Sequence, residues 1–279
     1  MKRPLALLVN DDGVNSAGIT VLREELSSEF ECLIVAPNRE RSGIGKALTV
    51  GSIITVEKLT TRYGDAYSID GTPADAVLLA LHKLLNEKPA VVVAGINLGP
   101  NLGIDDILNS GTLGAAMEAA IHGIPSIAVS YCIAREFDDG VVLQALYDPG
   151  LRLTAKIARA LAKAIVDEGM PEDVDVLSVN VPDYRSRIKG IKVTRPSKKG
   201  YPDIHVTRDG GYAIARWDLT LYPEDSEDTD VEAVRSGYIS LTPLNLSLTS
   251  RAQNTKRLQH LVELLRPLIG REFSPQRHA

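Results

Sequence analysis

Leu5-Ala6-Leu7-Leu8-Val9, followed by Asn10-Asp11-Asp12-Gly13, is an uninterrupted apolar run that ends in two adjacent carboxylates. Such a run is typical of a parallel strand that is buried on both faces. In an open α/β sheet, ligands bind beyond the carboxyl ends of the strands. Two neighbouring ionised carboxylates repel each other, and a hard divalent cation relieves that repulsion. The stretch therefore predicts a Mg²⁺- or Mn²⁺-dependent site directly after the first strand.

Strand-like and helix-like stretches alternate from this point to about residue 181. The apolar patterns predict strands over 4–9, 31–36, 52–57, 66–69, 90–94, 126–130 and 174–181. Helical spacing predicts helices over 19–26, from Thr72 to Leu85, over 112–122 and around 153–165. Thr72-Pro73-Ala74-Asp75 is a typical helix start, with a capping hydroxyl, an early proline and an acidic first turn. This alternation predicts an α/β fold with a doubly wound, mostly parallel sheet.

The pattern changes after about residue 184. Residues 185–199 are basic and residues 218–232 are acidic, and short strands are predicted over 191–194, 205–207, 212–216 and 234–241. A helix is predicted over 256–269, with a frayed tail over 273–279. We interpret both charge runs as solvated faces; alternatively, the basic run holds an anionic ligand or partner. We predict three parts: a core over 1–184, a β-rich arm or subdomain over 185–253, and a C-terminal helix and tail over 254–279.

Composition narrows the classes of function. The chain has 279 residues, 44% of them hydrophobic, and a net charge of −5, which argues against nucleic-acid duplexes as partners. No apolar run approaches the ~20 residues that span a bilayer, and the early first strand leaves no room for a signal peptide. We therefore expect a soluble, cytoplasmic protein without membrane contact. Cys32 and Cys132 are expected to be buried free thiols, with a disulfide as the alternative.

Four polar turns share one property, which is that each follows an apolar strand or opens a helix. They are residues 10–13, 41–43, 95–101 and 109–112. Turns that leave the carboxyl ends of parallel strands gather on one rim, so their side chains can converge. Asp11 and Asp12 would supply carboxylate oxygens, Ser42 a hydroxyl and Asn97 an amide oxygen. An all-oxygen set favours Mg²⁺, Mn²⁺ or Ca²⁺ and disfavours structural Zn²⁺.

Ser110-Gly111-Thr112 opens a predicted helix, and exposed amides at a helix N-terminus bind anions. Two carboxylates on a dication leave the site nearly neutral, so that it can accept a phosphate group. Each part also has a simpler interpretation: Asp-Asp-Gly as a turn, Asn97 and Asn101 as turn residues among glycines, and Ser110 as a helix cap. The combination of all the parts is more specific than any one of them.

Several motifs together resemble the signature of the SurE survival-protein family of phosphatases. They are Val9-Asn10-Asp11-Asp12-Gly13 through Gly18-Ile19, Ala36-Pro37 with Arg41-Ser42-Gly43, Asp70-Gly71-Thr72-Pro73-Ala74-Asp75, Gly95-Ile96-Asn97-x-Gly99-x-Asn101, Ser110-Gly111-Thr112-x-Gly114-Ala115-Ala116-Met117-Glu118, and Gly237-Tyr238-Ile239-Ser240 with Thr242-Pro243-Leu244. They cover most of the chain in the family's order. The chain departs from the family at Asn245-Leu246-Ser247 and over 197–232, which affects substrate preference and assembly.

The resemblance implies a metal-dependent phosphomonoesterase acting on nucleoside 5′- and 3′-monophosphates. It implies one divalent ion per subunit, Mg²⁺ or Mn²⁺, held by Asp11, Asp12, Ser42 and Asn97. It also implies a Rossmann-like three-layer αβα core and a C-terminal arm exchanged between subunits of a homodimer or homotetramer. Ser110, Gly111, Thr112 and the Asn101 side chain would hold phosphate oxygens, and Asp11, Asp12 and Asn101 would be the catalytic residues. Whether water or an aspartate is the nucleophile stays open.

Other functions fit the sequence less well. An aspartyl-phosphate phosphatase of the haloacid dehalogenase type needs Asp-x-Asp after the first strand, whereas this chain has Asn10 at the nucleophile's position. A P-loop around Gly45-Lys46 lacks its first glycine and its Ser/Thr. No Gly-x-Gly-x-x-Gly follows the first strand, as a dinucleotide site requires. A non-catalytic nucleotide-binding stress protein that uses the same cleft remains the alternative from a different class.

Overall fold

A computed structural model of the chain describes residues 2–61, 64–133, 146–201, 203–214, 219, 222–248 and 256–272. The chain divides into two compact units, Met1–Asn245 and Leu246–Ala279. The first contains an α/β fold built on a nine-stranded, mostly parallel sheet, as the sequence predicts. The described part of the second consists of residues 246–248, which are irregular, and one helix, and the predicted tail over 273–279 lies outside the described residues.

The strands and helices follow the predicted alternation, with two additional short helices, Gly103–Asn109 and Asp230–Arg235. The strands are β1 Leu5–Val9, β2 Glu31–Pro37, β3 Val56–Thr61, β4 Gly64–Ile69, β5 Val91–Leu98, β6 Ser126–Cys132, β7 Val176–Pro182, β8 Gly190–Val193, β9 His205–Arg208, β10 Gly211–Ile214 and β11 Tyr238–Leu244. The helices are α1 Ala17–Leu26, α2 Pro73–Leu79, α3 Gly103–Asn109, α4 Gly111–Ile121, α5 Pro149–Glu168, α6 Asp230–Arg235 and α7 Lys256–Glu272.

The strand order across the sheet is β3-β4-β2-β1-β5-β6-β7-β11-β8. Strands β4, β2, β1, β5, β6 and β7 are parallel, while β3 and β11 run antiparallel to their inner neighbours. The chain places β2, β4 and β3 on one side of β1 and then crosses back to place β5 on the other side. The sheet therefore has a topological switch point between β1 and β5, which is where open α/β sheets bind ligands.

Alternate residues of the central strands enter two separate cores, one on each face of the sheet. Ala6 and Leu8 of β1 pack with α1 and α5, whereas Leu7 and Val9 pack with α2 and α4. All four side chains are buried. Because successive strand residues point to opposite faces, only a continuous apolar run can serve both cores. This explains why β1 is apolar throughout.

Helix α2 begins where the sequence predicts. The Asp75 N–H donates to the Thr72 hydroxyl at 3.1 Å, and the Thr72 N–H donates to the Asp75 carboxylate at 2.9 Å. This reciprocal capping box, with Pro73 at the start of the helix, satisfies two of the free amides at the N-terminus. The helix then continues as a short π-helix over Ala80–Leu84.

The structure corrects some element boundaries. The strand predicted over 52–57 begins only at Val56, and the preceding residues 52–55 are not in a strand. Residues 234 and 235, predicted as strand, end helix α6, because the Thr229 hydroxyl accepts from the Glu232 N–H and starts a helix there. Helix α3 was not predicted at all. It spans 7 residues, which is too short for a helical period to stand out in the sequence.

Residues beyond 184 contribute to the main sheet through β8 and β11, while β9 and β10 form a separate two-stranded sheet. The division into parts at 184 and 253 stays a prediction. Within this region the basic and acidic runs partly pair with each other, since Arg195 contacts Asp228 at 2.7 Å. Part of the charge is thereby neutralised between the two runs.

Two further predictions concern the chain as a whole. Both cysteines are free thiols, as expected, but both are half-buried rather than buried. Burial raises the pKa of the Cys32 thiol to about 11 and that of Cys132 further still, so both are poor nucleophiles. Of the helices that the structure describes, none combines the length and the apolar composition needed to cross a bilayer.

Candidate active site

The candidate site lies at the carboxyl ends of β1 and β5, on the two sides of the switch point. Asn10 shapes the turn after β1, because its side-chain amide donates to the Gly13 carbonyl at 2.9 Å and to the Ser16 hydroxyl at 2.7 Å. Ser16 in turn caps α1. The Asn10 side chain therefore fixes the conformation of the turn, and the Asp11 and Asp12 carboxylates are not needed for that purpose.

Asp11 faces the N-terminus of helix α4. Its side chain is buried, and the Thr112 hydroxyl donates to Asp11 Oδ1 at 2.5 Å. Burial raises the pKa of the Asp11 carboxyl, and hydrogen bonds from Thr112 and the backbone of Gly111 act against that rise. The helix N-terminus thus favours the ionised carboxylate, which is the form that binds a cation.

Gly111 permits this close approach between the helix and the carboxylate. A Cβ atom at Gly111 would lie 2.8 Å from the Asp11 Cβ and 3.0 Å from Asp11 Oδ2. These distances are too short for a real methyl group, so any larger residue would push the helix or the carboxylate away.

The carboxyl group of Asp12 also has a raised pKa. Burial is the first cause that raises its pKa well above the usual value, followed by the negative charges of Asp11 and Glu40. The backbone of Leu98, at the end of β5, lowers the pKa and only partly offsets the rise. The Oδ2 atom of Asp12 is buried and accepts no hydrogen bond. Such an oxygen beside a second carboxylate costs free energy unless a cation contacts it.

Ser42 is exposed and lies in the turn after β2. The Arg41 N–H donates to the Asp11 carbonyl at 2.8 Å, which holds this turn against the turn after β1. The Ser42 hydroxyl donates to the Glu40 carboxylate at 2.6 Å. Glu40 therefore orients Ser42 and adds negative charge near Asp12. Sequence reasoning missed Glu40, because an acidic residue in an exposed turn carries no distinguishing signal.

Asn97 lies at the end of β5, beyond a β-bulge. The register of β5 against β6 shifts between Ala94 and Asn97, and bulges of this kind redirect a side chain at a strand end. The amide nitrogen of Asn97 donates to the Gly99 carbonyl at 2.9 Å. This leaves the amide oxygen as the atom available to a cation.

The residues present fit a hard divalent cation. The residues predicted as ligands would offer two carboxylates, one hydroxyl and one amide oxygen, and Oδ2 of Asp12 is buried without a partner. In the part of the chain that the structure describes, no group of three or more His, Cys, Asp or Glu side chains is arranged to hold a metal. A cation at this rim would thus depend on neutral oxygens as well as on Asp11 and Asp12, as is usual for Mg²⁺.

Asn101 is buried, and both its side chain and its backbone form hydrogen bonds. Its side-chain amide donates to the Ser130 hydroxyl at 2.9 Å, and its backbone N–H donates to the Asn180 side chain at 2.9 Å. Ser130 pairs in register with Asn97 across β5 and β6, so Asn101 bonds to the strand residue opposite Asn97. Ser130 and Asn180 were missed. The only signal for them is a polar residue inside an otherwise apolar strand.

Ser110 and Thr112 use their hydroxyl groups within the protein. The Ser110 hydroxyl accepts from the Leu113 N–H at 3.2 Å and caps α4, while the Thr112 hydroxyl is engaged with Asp11. The cap interpretation of Ser110 therefore holds, and phosphate binding by these residues stays a prediction.

A separate cavity of about 780 Å³ lies at the opposite rim, where the strands begin. Its lining includes Arg3, Arg23, Cys32 and Asp65, and none of the site residues predicted from sequence. This cavity is therefore separate from the candidate site.

Comparison with known proteins gives consistent results. The family model described as survival protein SurE matches residues 6–203. A 5′-nucleotidase SurE from Aquifex aeolicus is 44% identical over 255 residues, covering 88% of this chain and 94% of the relative. One from Methanothermobacter thermautotrophicus is 42% identical over 206 residues, covering 72% of this chain and 76% of the relative.

The fold is also similar to a solved structure. The crystal structure of a SurE protein from Aquifex aeolicus superposes with a TM-score of 0.73 at 39% sequence identity. The match covers 93% of this chain and 100% of that chain.

Proposed function

This chain belongs to the SurE survival-protein family, and from that premise we propose that it is a divalent-metal-dependent phosphomonoesterase that hydrolyses nucleoside 5′- and 3′-monophosphates. Hydrolysis of nucleoside 5′-monophosphates agrees with the name 5′-nucleotidase that its relatives carry. Dependence on Mg²⁺ or Mn²⁺ and activity towards the 3′-phosphate go beyond that name. The site supports the metal dependence, and the family resemblance implies the 3′-activity.

One observation carries the metal dependence, namely the buried Asp12 Oδ2 atom that accepts no hydrogen bond. It lies beside Asp11, whose ionised form the α4 N-terminus favours. The two carboxylates would hold the ion together with the Ser42 hydroxyl and the Asn97 amide oxygen.

The chain's own residues account for most of the proposed mechanism. A bound Mg²⁺ or Mn²⁺ would neutralise phosphate charge and polarise the phosphorus. The Asn101 side chain would hold a phosphate oxygen. The amides of residues 110–112, also predicted to bind phosphate, are engaged within the protein: the Ser110 N–H donates to the Asp106 carbonyl at 2.7 Å, and the backbone of Gly111 and Thr112 bonds to Asp11. Positioning and charge neutralisation supply most of the catalysis in phosphoryl transfer. Either Asp11 or Asp12 would orient the attacking water or attack the phosphorus itself.

The deciding experiment measures phosphate release from nucleoside 5′- and 3′-monophosphates and p-nitrophenyl phosphate. It is run with ~5 mM Mg²⁺ or Mn²⁺ and again after EDTA, on the wild type and on Asp12→Asn. We expect release that needs both the metal and Asp12, with Asp12→Asn folded and at least about 100-fold slower. Nucleotide binding without release by the folded wild type would instead indicate a non-catalytic binding protein. A phosphoenzyme trapped on an aspartate would indicate the covalent route.

We further propose a homodimer or homotetramer with exchanged C-terminal arms, located in the cytoplasm. The family resemblance supports this assembly. Light scattering on the full chain tests it, and a monomer at all concentrations would contradict it.

A further inference from the structure

Three consecutive backbone amides at the start of α3 donate to buried side-chain oxygens. The acceptors come from three different elements: Asn101 donates to Asn180 at 2.9 Å, Leu102 to Asp106 at 3.0 Å and Gly103 to Asp230 at 2.8 Å. All six residues are buried or nearly so. An irregular buried backbone needs partners for its polar groups, and here side chains supply them one by one.

Asn180 differs from the other two acceptors because it both accepts and donates. Its Oδ1 accepts from the Asn101 N–H, and its Nδ2 donates to the Asn101 carbonyl at 3.0 Å. The planar amide of Asn180 therefore binds both backbone groups of one residue, as a neighbouring strand would do. Asn180 itself lies on β7, an interior strand of the sheet, with 0% of its surface exposed.

The Asn101 side chain is fixed separately, through its bond to Ser130 on β6. Asn101 is thus held by β7 at its backbone and by β6 at its side chain. The three acceptors at the start of α3, Asn180, Asp106 and Asp230, are not among the residues predicted to contact substrate.

We propose that Asn180 is a positioning residue for phosphate transfer, which holds the backbone of Asn101 so that its side chain meets the phosphate group. This inference rests on the proposed function. Without Asn180, the backbone N–H and carbonyl of Asn101 lose their partners, and the residue relaxes away from the site. Leu102 and Gly103 keep their own acceptors, so the displacement is local and the protein still folds.

The test is a double-mutant cycle on the Mg²⁺-loaded full-length protein, with a nucleoside 5′-monophosphate as substrate. The variants are Asn101→Ala, Asn180→Ala and the double variant, each characterised by kcat, KM and Tm. We expect Asn180→Ala to lower kcat/KM by about tenfold or more, and to change it by less than about twofold once Asn101 is already alanine. A purely structural residue would give the same factor in both backgrounds.

Ser240→Ala is the matched control. Ser240 is buried, lies opposite Asn180 in the register of β11 and β7, and bonds to the hydroxyls of Thr194 and Thr242. We expect it to lower Tm while leaving kcat/KM within about twofold in both backgrounds. If Asn180→Ala does not fold, Asn180→Leu enters the same cycle, because it keeps most of the side-chain volume and loses both the donor and the acceptor.

Two results would overturn the inference in distinguishable ways. Equal factors in both backgrounds, or an unchanged kcat/KM in Asn180→Ala, with an active wild type would refute the positioning role alone. A folded wild type that releases no phosphate would refute the proposed function and the positioning role with it. Faster amide hydrogen exchange at Asn101 in Asn180→Ala is the expected structural counterpart, and unchanged exchange would count against the inference.

Discussion

The Thr112 hydroxyl and the Asp11 carboxylate are joined by a hydrogen bond of 2.5 Å although they lie 101 positions apart in the chain. The bond links the first turn of α4 to the turn after β1. Thr112 would not contact the cation itself. It would orient Asp11, a proposed cation ligand, by donating a hydrogen bond to its carboxylate.

Replacing this hydroxyl should weaken cation binding. We expect Thr112→Val to reduce Mg²⁺ or Mn²⁺ affinity by about 10- to 100-fold, the range found when outer partners of metal ligands are lost. Thr112→Ser keeps the donor and should bind nearly as tightly as the wild type. Isothermal titration calorimetry measures both affinities, and equal affinity in the Val and Ser variants would show that the bond is unimportant.

Gly111→Ala should impair the site while preserving the fold. The added methyl would lie 2.8 Å from the Asp11 Cβ atom, so Asp11 or the α4 N-terminus must shift. We expect kcat/KM to fall by about 100-fold, since a displacement near 1 Å can cost this much in a positioned site. Gly211→Ala, where a Cβ atom meets only the Arg208 carbonyl at 3.9 Å, is the control and should retain full activity.

Ser42→Ala tests the most exposed of the proposed ligands. Its hydroxyl donates to Glu40, and removing it should weaken cation affinity by about tenfold without changing the Tm of the metal-free protein. Metal titration of phosphate release measures the change. An unaltered metal dependence would remove Ser42 from the ligand set.

Asp106 should make stability depend on pH. Burial raises its pKa from 3.8 to about 7, with smaller contributions from the charges of Asp105 and Asp230, while bonds from Tyr222 and the Leu102 backbone lower it. The folded state then holds a proton that the unfolded state releases. The stabilisation from this group is therefore complete below about pH 4 and declines as pH rises to about 7.

The expected loss from Asp106 over that range is of order 4 kcal/mol at most. Urea unfolding of the wild type and Asp106→Asn at several pH values measures it. The Asn variant keeps an acceptor for the Leu102 amide and has no proton to lose, so the free energy of unfolding should vary less with pH. Parallel curves for the two proteins would contradict the assignment to Asp106.

Local patterns predicted most of the fold. The apolar run of β1 serves two cores, and the Thr72–Asp75 capping box fixes the start of α2. Both depend on residues that are close in sequence, which is why they were visible there. Helix α3 was missed because its 7 residues show no clear period.

The sequence indicates the residues proposed as ligands, and it does not indicate the residues that support them. Asp11 and Asp12 follow a recognisable strand, and the turn after β5 contains recognisable asparagines. The contacts of Asn180 with Asn101 join residues 79 positions apart, and a side chain that bonds to a distant backbone leaves no periodic trace. Glu40 likewise acts only through its place in the folded turn.

Strands β1 and β5 pair directly, with Ala6 opposite Val91, and the proposed cation ligands extend from both. An ion at this position would bind only folded chains, in which these two distant segments are already together. The concentration of free ion would therefore affect the folding equilibrium. Each tenfold rise in free ion above its Kd would add about 1.4 kcal/mol to the free energy of unfolding. A chelator would then lower the melting temperature as well as stop turnover, because the ion would hold the ends of β1 and β5 together.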